Sequence, residues 1–252
     1  MIRNLLLILY AAVAFAAIAA TGAVGQEISA VDILERVDRN MTIDAIRSRA
    51  RMIIHYREGD VRTLEFTSWA QGTEESFLEF TSPARDAGSR FLRRDDAMWI
   101  FLPRVGKSVR IQGHMLRQGL MGSDFSYGDA SENPSMVEDY DGVVEREEEL
   151  DGRPTYVLLL TAKRRDLSYP SRRIWVDSER WIPLKEERFA RSGKLIKTTQ
   201  VNSVRRVEGR WFPFEMVFKD ELKTGKGTEF VLVSVEFDAD IPDYIFSKAS
   251  LR

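Results

Sequence analysis

The chain has 252 residues, with 37 basic and 39 acidic side chains intermixed and a formal net charge of -2. That balance argues against a nucleic-acid binder held by counterion release. There is no cysteine, so no disulfide can brace the fold and stability must come from an ordinary apolar core.

Met1–Gly25 reads as a secretory signal: Arg3 gives a positive start, Leu5–Ala20 is apolar, and Ala23-Val24-Gly25 offers small residues for cleavage. An uncleaved anchor is the alternative, but the run is short and alanine-rich for a span of roughly 20 residues. No cysteine follows the cleavage site, so the chain is not itself lipidated there. Residues 26–252 show no linker, repeat or low-complexity tract, which favours one domain.

Gln26–Met41 is predicted as a helix. Ser29 with Asp32 makes a capping-box start, and Ile28, Val31, Leu34, Val37 and Met41 fall near one face. From Ser48 the chain reads as strand after strand. Ala50, Met52, Ile54 and Tyr56 alternate with Arg49, Arg51, His55 and Arg57, with Ile53 the one exception; Leu64 and Phe66 share a face, and Gly72 turns the chain into Ser76–Thr81. Pro83 ends that strand; Ser89–Arg94 and Met98–Leu102 follow around Asp95-Asp96. This is an up-and-down meander, the pattern of a barrel or a curled sheet.

Met98–Asp129 is the least ordinary stretch. Pro103 stops a strand, a turn through Gly106 leads to Ser108–Ile111, and then Met115, Leu116, Leu120, Met121 and Phe125 are set among Gly113, Gly119 and Gly122. Loops normally place polar groups in water, so these apolar residues must either fold down on the domain or await an apolar ligand. The run from Trp99-Ile-Phe-Leu-Pro through Arg110-Ile to Met121-Gly-Ser-Asp-Phe-Ser-Tyr-Gly-Asp129 resembles the signature of the LolA-like outer membrane lipoprotein-sorting protein family. The resemblance implies a mainly β fold: one strongly curved antiparallel sheet, an incomplete barrel, closed by short helices and loops over an apolar cavity. It also implies a periplasmic carrier of acyl chains, with the first helix as part of the cover.

Beyond the central stretch, Glu132–Asp139 can form short helical turns opened by Asn133-Pro134, with Met136, Val137 and Tyr140 as an apolar face. The rest is again β. Val143–Leu150 and Thr155–Ala162 flank a hairpin signal at Asp151-Gly152. Ile174–Asp177, Ile182–Ala190, Leu195–Val207, Trp211–Lys219 and Thr228–Phe237 follow. Phe212, Phe214, Met216 and Phe218 are expected on one face, as are Val231, Val233, Val235 and Phe237. Asp240–Arg252 is expected to pack as a cap through Ile241, Tyr244, Ile245 and Phe246.

The catalytic inventory is thin. His55 and His114 are the only histidines and are far apart, so a tight zinc site is disfavoured. No Gly-x-Ser-x-Gly elbow is present, and Ser123, His114 and Asp124 have no strand-turn-helix to hold them as a triad. Thr224-Gly-Lys-Gly-Thr228 lacks a phosphate-loop ending. Glu147-Glu148-Glu149 and Asp95-Asp96 are consecutive, so their carboxylates diverge and stay solvated. Asp124 and Asp129 fit local turn bonds or a polar contact at a cavity mouth. Arg104, Lys107 and Arg110 fit a wet strand edge, a headgroup or an acidic partner.

The expected ligand site follows from strand parity and the central stretch: Met52, Ile54, Leu64, Phe66, Phe91, Trp99 and Phe101 as lining, with Met115, Leu116, Leu120, Met121 and Phe125 as cover. No cofactor, metal or catalytic residue is expected. The partners implied are lipoprotein acyl chains or lipid, an inner-membrane transporter and an outer-membrane acceptor. The competing reading is a non-catalytic structural or accessory envelope protein, its barrel filled by its own side chains or working beside a membrane lipid exporter. Volume under the cover separates the two.

Overall fold

The structure, a computed structural model, describes residues 28–132 and 135–252. The predicted signal segment and Asn133-Pro134 lie outside the described residues.

Helix α1 (Ala30–Met41) is capped by Ser29, whose hydroxyl accepts from the Asp32 N–H while the Asp32 carboxylate accepts from the Ser29 N–H. Its buried stripe is Ala30, Ile33, Leu34 and Val37. Val31 is 49% exposed, a correction to the expected face: Ile33 takes its place, adjacent to Leu34 on the side that meets the sheet. The strands are β1 (Ala45–His55), β2 (Val61–Gln71), β3 (Glu75–Ser82), β4 (Arg90–Arg94), β5 (Ala97–Leu102), β6 (Lys107–Ile111), β7 (Tyr140–Leu150), β8 (Arg153–Ala162), β9 (Ser171–Asp177), β10 (Pro183–Phe189), β11 (Leu195–Val207), β12 (Arg210–Asp220) and β13 (Gly227–Phe237). Two short helices, α2 (Tyr127–Ser131) and α3 (Met136–Asp139), lie between β6 and β7.

All thirteen strands form one antiparallel, strongly curved sheet in the order β6-β5-β4-β3-β2-β1-β13-β12-β11-β10-β9-β8-β7. Every neighbouring pair is consecutive in the chain except β1–β13, which joins the two meanders. The sheet does not close: β6 is one edge and β7 the other. The chain between them, residues 112–139, therefore has to cross from edge to edge. It crosses over one face, and that connectivity makes it a cover.

Three apolar clusters hold the fold. Ala50, Met52, Ile54, Leu64, Phe66, Phe80, Met98 and Ile100 pack beneath the crossing segment. Ile33, Leu34 and Val37 of α1 pack on Leu158, Leu160, Ile174 and Val176, with Met136 and Val137 alongside. Helix and sheet approach closely at Gly142, where a Cβ would sit 3.1 Å from Ala30 Cβ and 3.2 Å from Leu160 Cδ2. The third cluster joins Phe77 and Leu92 to Ile241, Phe246 and Leu251 of the C-terminal turns, with Trp69, Trp99, Phe101 and Ile245 around it. The C-terminal cap thus exists, although Tyr244 is 66% exposed and takes no part in it.

The expected face of β13 needs a second correction. Ala50 pairs with Leu232 and Met52 with Phe230, whereas Ser48 pairs with Val235 and Ile46 with Phe237. The register shift between Arg49 and Ala50 leaves Val233 as an extra residue, and a bulge inverts side-chain parity along a strand. Phe230 and Leu232 therefore face the cover. Val233 is 52% exposed.

Candidate functional site

The crossing segment is built to lie flat. Residues 113–117 and 120–122 form single 3-10 turns, too short to need a helix's room. Gly119 is obligatory between them, because a Cβ there would meet the Ser123 carbonyl oxygen at 1.9 Å. The Leu120 N–H donates to the Phe125 carbonyl at 2.8 Å, and the buried Ser123 hydroxyl donates to the same oxygen at 3.0 Å. These bonds close a compact loop that projects Leu120 and Phe125 downward.

Anchors beyond the loop fix it to the sheet. The Asp124 carboxylate accepts from the Asp220 N–H at 3.1 Å and from the Thr228 hydroxyl at 2.8 Å. Lys223 donates to the Ser123 carbonyl at 2.8 Å, and Arg62 to the Met121 carbonyl at 3.1 Å. Asp124 thus ties the loop to the β12–β13 hairpin, a longer-range role than a local turn bond. Ser123 and Asp124 are committed to these contacts, which leaves no triad with His114.

Beneath the loop, Phe125 stands 4.9 Å from Phe218 and 5.5 Å from Phe230, ring centre to ring centre, and Phe66 is 6.2 Å from Phe230. An apolar cavity of about 320 Å³ remains between them, lined by Ala50, Phe66, Leu78, Phe125, Phe230 and Leu232 among others.

Of the residues expected to line or cover a site, Met52, Ile54, Leu64, Phe66, Phe91 and Leu120 are buried in the cluster beneath the loop, and Met115, Leu116, Met121 and Phe125 pack against it. Trp99 and Phe101 are the correction. They lie on the opposite face of β5, beneath the C-terminal turns. Met98 and Ile100 face the loop instead, since alternate residues of one strand point to opposite faces. Met216, on a face expected to line a core or a cavity, lines this one, and so do Phe230 and Leu232, which were not expected there. Phe230 and Leu232 were hidden by the bulge, while the apolar parity of Met216 and Phe218 was visible.

Farther along the same face, toward β7, the chemistry changes. Arg172 on β9, Glu186 and Arg188 on β10, and Asp129 of α2 are all buried. Arg172 meets Glu132 at 2.6 Å and Glu186 at 3.1 Å, and Arg188 meets Asp129 at 2.9 Å and Glu186 at 2.9 Å. Lys197 also contacts Asp129, and the Tyr169 hydroxyl donates to Asp129 at 2.5 Å. Asp129 further accepts from the Ser126 N–H at 2.6 Å, completing the cap of α2. Its local and long-range roles coexist.

Burial opposes the charge on Asp129, but Arg188 and Lys197 outweigh it and hold the carboxyl at about 2, below its usual range. Burial likewise opposes ionisation of Glu186, and Arg188 with Arg172 reverse it. For Glu132 burial wins and the carboxyl titrates higher than usual, despite Arg172 and Arg188. Burial and the adjacent Asp129 push the Tyr169 hydroxyl well up. Each carboxylate faces an arginine or lysine, so the group acts as a structural clamp. Strand parity held a signal for it: Arg172 shares a face with Ile174 and Val176, and Glu186 and Arg188 share one with Leu184.

A fold of this kind, an unclosed curved sheet with a segment drawn across its apolar face, is the LolA-type lipoprotein-sorting fold. A LolA superfamily protein from Nitrosomonas europaea is 26% identical, with a TM-score of 0.74 over 88% of this chain and 99% of that one. A DUF1329 family protein from Desulfovibrio piger is 25% identical, with a TM-score of 0.81 over 88% and 97%. A putative outer membrane lipoprotein-sorting protein domain from Vibrio parahaemolyticus shares the fold at 23% identity, with a TM-score of 0.78 over 88% and 97%. A family model described as "Uncharacterized protein" matches residues 72–252, and no curated protein matches. The chain belongs to the family whose model matches residues 72–252, and its fold is that of the LolA superfamily.

Proposed function

We propose that this protein is a non-catalytic periplasmic carrier, exported by a cleavable signal at residues 1–25, that holds an acyl chain of a lipoprotein or lipid beneath the crossing segment and passes it toward the outer membrane. The observation that carries the reading is the apolar cavity of about 320 Å³ under Leu120 and Phe125. Binding works by excluding water, with each buried methylene contributing about 0.8 kcal/mol. Met115 and Met121, packed at the edge of the cluster, can repack around chains of varying shape. The volume lies at the small end of ligand pockets, roughly 300–1,000 Å³. It suits one chain, and a cargo with several requires the loop to lift. In this scheme an inner-membrane transporter supplies the cargo and an outer-membrane acceptor removes it.

The loop's anchors through Asp124, Lys223 and Arg62 favour a second reading, a filled accessory barrel whose cover never opens. Native mass spectrometry of the protein purified gently from the periplasm, followed by lipid extraction, separates the two. Co-purifying lipid or lipoprotein supports the carrier. A clean protein mass together with no uptake of a fluorescent fatty acid supports the filled barrel and removes the carrier.

A further inference from the structure

A second site lies at the other end of the sheet. The buried ion cluster occupies the start of β9, the end of β10 and the start of β11. The opposite ends of these strands are the turns at 178–182 and 208–209, and the last turn of α1 meets them there. They border a shallow, open surface pocket lined by Arg36, Arg39, Asn40, Trp181, Glu208 and Arg210.

The pocket is constructed, since its parts hold one another. Asn40 donates to the carbonyls of Trp181 and Trp211, each at 3.4 Å. Arg210 donates to the carbonyls of Asn40 at 3.3 Å and Thr42 at 2.9 Å, which offsets the negative end of the α1 dipole. The Arg36 guanidinium lies 4.5 Å over the Trp181 ring, and Arg180 lies 4.4 Å over Trp211. Trp181 itself has φ +55°, a conformation uncommon for a bulky side chain. Such strain persists where the surroundings over-determine it, and it clusters at ligand sites.

Charge is left over. Arg36, Arg39 and Arg210 form no ion pair among the described residues, and Glu208 is the one acid in the lining. A guanidinium stacked on an indole keeps its N–H edges free for an oxyanion and has already lost much of its rotamer freedom. Arg36 and Arg39 stand one turn apart on α1 at the same lining, and arginine forks match a tetrahedral, multiply accepting group.

We propose that this pocket binds a phosphate group, with Arg36 and Arg39 as its direct ligands, Trp181 holding the Arg36 plane, and Arg210 preparing the floor. The phosphate could belong to a lipid headgroup or to a small soluble ester; both present the same oxyanion.

The test measures cosedimentation of the protein with phosphatidylcholine vesicles, with and without phosphatidylglycerol, and calorimetric titration with glycerol 3-phosphate. The Arg36→Gln/Arg39→Gln variant is compared with Arg47→Gln/Arg51→Gln, an equal loss of charge at exposed residues of β1. Each arginine near an anionic surface is worth roughly fivefold, so the first variant loses about 25-fold in affinity while the second retains its binding. Binding confined to phosphatidylglycerol vesicles assigns the site to a headgroup, and binding of glycerol 3-phosphate as well assigns it to phosphate in either form. No binding of either probe, an undiminished Arg36→Gln/Arg39→Gln variant, or an equal loss in both variants overturns the proposal. Unchanged melting temperatures establish that both variants are folded.

Discussion

Two regions of one sheet face are covered by the same stretch of chain in opposite ways. Beneath Leu120 and Phe125 the strands present Met52, Leu64, Phe66 and Phe230, and contact there is apolar and non-directional. Around Asp129 and Glu132 they present Arg172, Glu186, Arg188 and Lys197, and contact is through matched charges at fixed distances. Apolar surface can be exchanged for a ligand's apolar surface at little cost. Separating a buried ion pair leaves both partners unsolvated and unpaired, at several kcal/mol. The difference makes α2 the more firmly held end of the cover; the loop at Met121–Asp124 is held by hydrogen bonds to charged groups, worth about 1.5–3 kcal/mol each.

The largest effect should come from breaking the clamp. Asp129→Ala leaves Arg188 and Lys197 without their shared carboxylate and should cost about 3–5 kcal/mol in urea unfolding. If the loss is below 1 kcal/mol, the two regions do not differ as argued. Next, Phe125→Glu places a charge over the cavity and should weaken fatty-acid uptake by about 100-fold, near 2.7 kcal/mol. Loss of the fold with this change would instead make Phe125 a core residue.

Of the two covered regions, acid should act on the clamp. The folded pKa of Asp129, at about 2, lies below its unfolded value, so its stabilisation is complete above the unfolded pKa of about 3.9. It is lost as pH falls from there through 2, by up to about 2.5 kcal/mol. Glu132, whose carboxyl burial raises, works in the other direction, and its contribution is lost as pH rises. Asp129→Asn should flatten the acid limb of a stability–pH curve, whereas Phe125→Glu should leave that limb in place.

A smaller change sharpens the cavity side. Ala130→Leu adds a side chain at the cavity lining and should lower fatty-acid affinity by about tenfold, near 1.4 kcal/mol, while the melting temperature shifts little. The smallest effect is expected outside both regions: Arg146→Ala on the exposed edge strand β7 should change stability by less than about 0.5 kcal/mol.

Much of this architecture was legible from residues. The Ser29–Asp32 cap, the Asp151-Gly152 hairpin and the bounds of β11 follow from local chemistry that the fold does not override. The site was legible in part. Leu120, Met121 and Phe125 stood out because apolar residues in a glycine-broken stretch need a cover or a ligand. Trp99 and Phe101 were misplaced because β5 is apolar on both faces, so alternation alone does not say which face meets the loop and which the C-terminal turns. Strand parity marks Arg172, Glu186 and Arg188 as inward-facing, but their pairing escaped notice because the members come from α2, β9, β10 and β11, and no local pattern joins one element to another.

By itself the sequence determined the strands, the turns between them and the apolar character of the central stretch, since periodicity, glycine and proline act over a few residues. The tertiary structure alone decided three things. It placed β6 and β7 at opposite edges, so that the chain between them must cross the sheet face. It inserted Val233 as a bulge, turning Phe230 and Leu232 inward. It brought Asp129 to Arg188 and Lys197, residues 59 and 68 positions away. All three depend on pairings between distant parts of the chain, and such pairings are set by the energy of the whole assembled sheet.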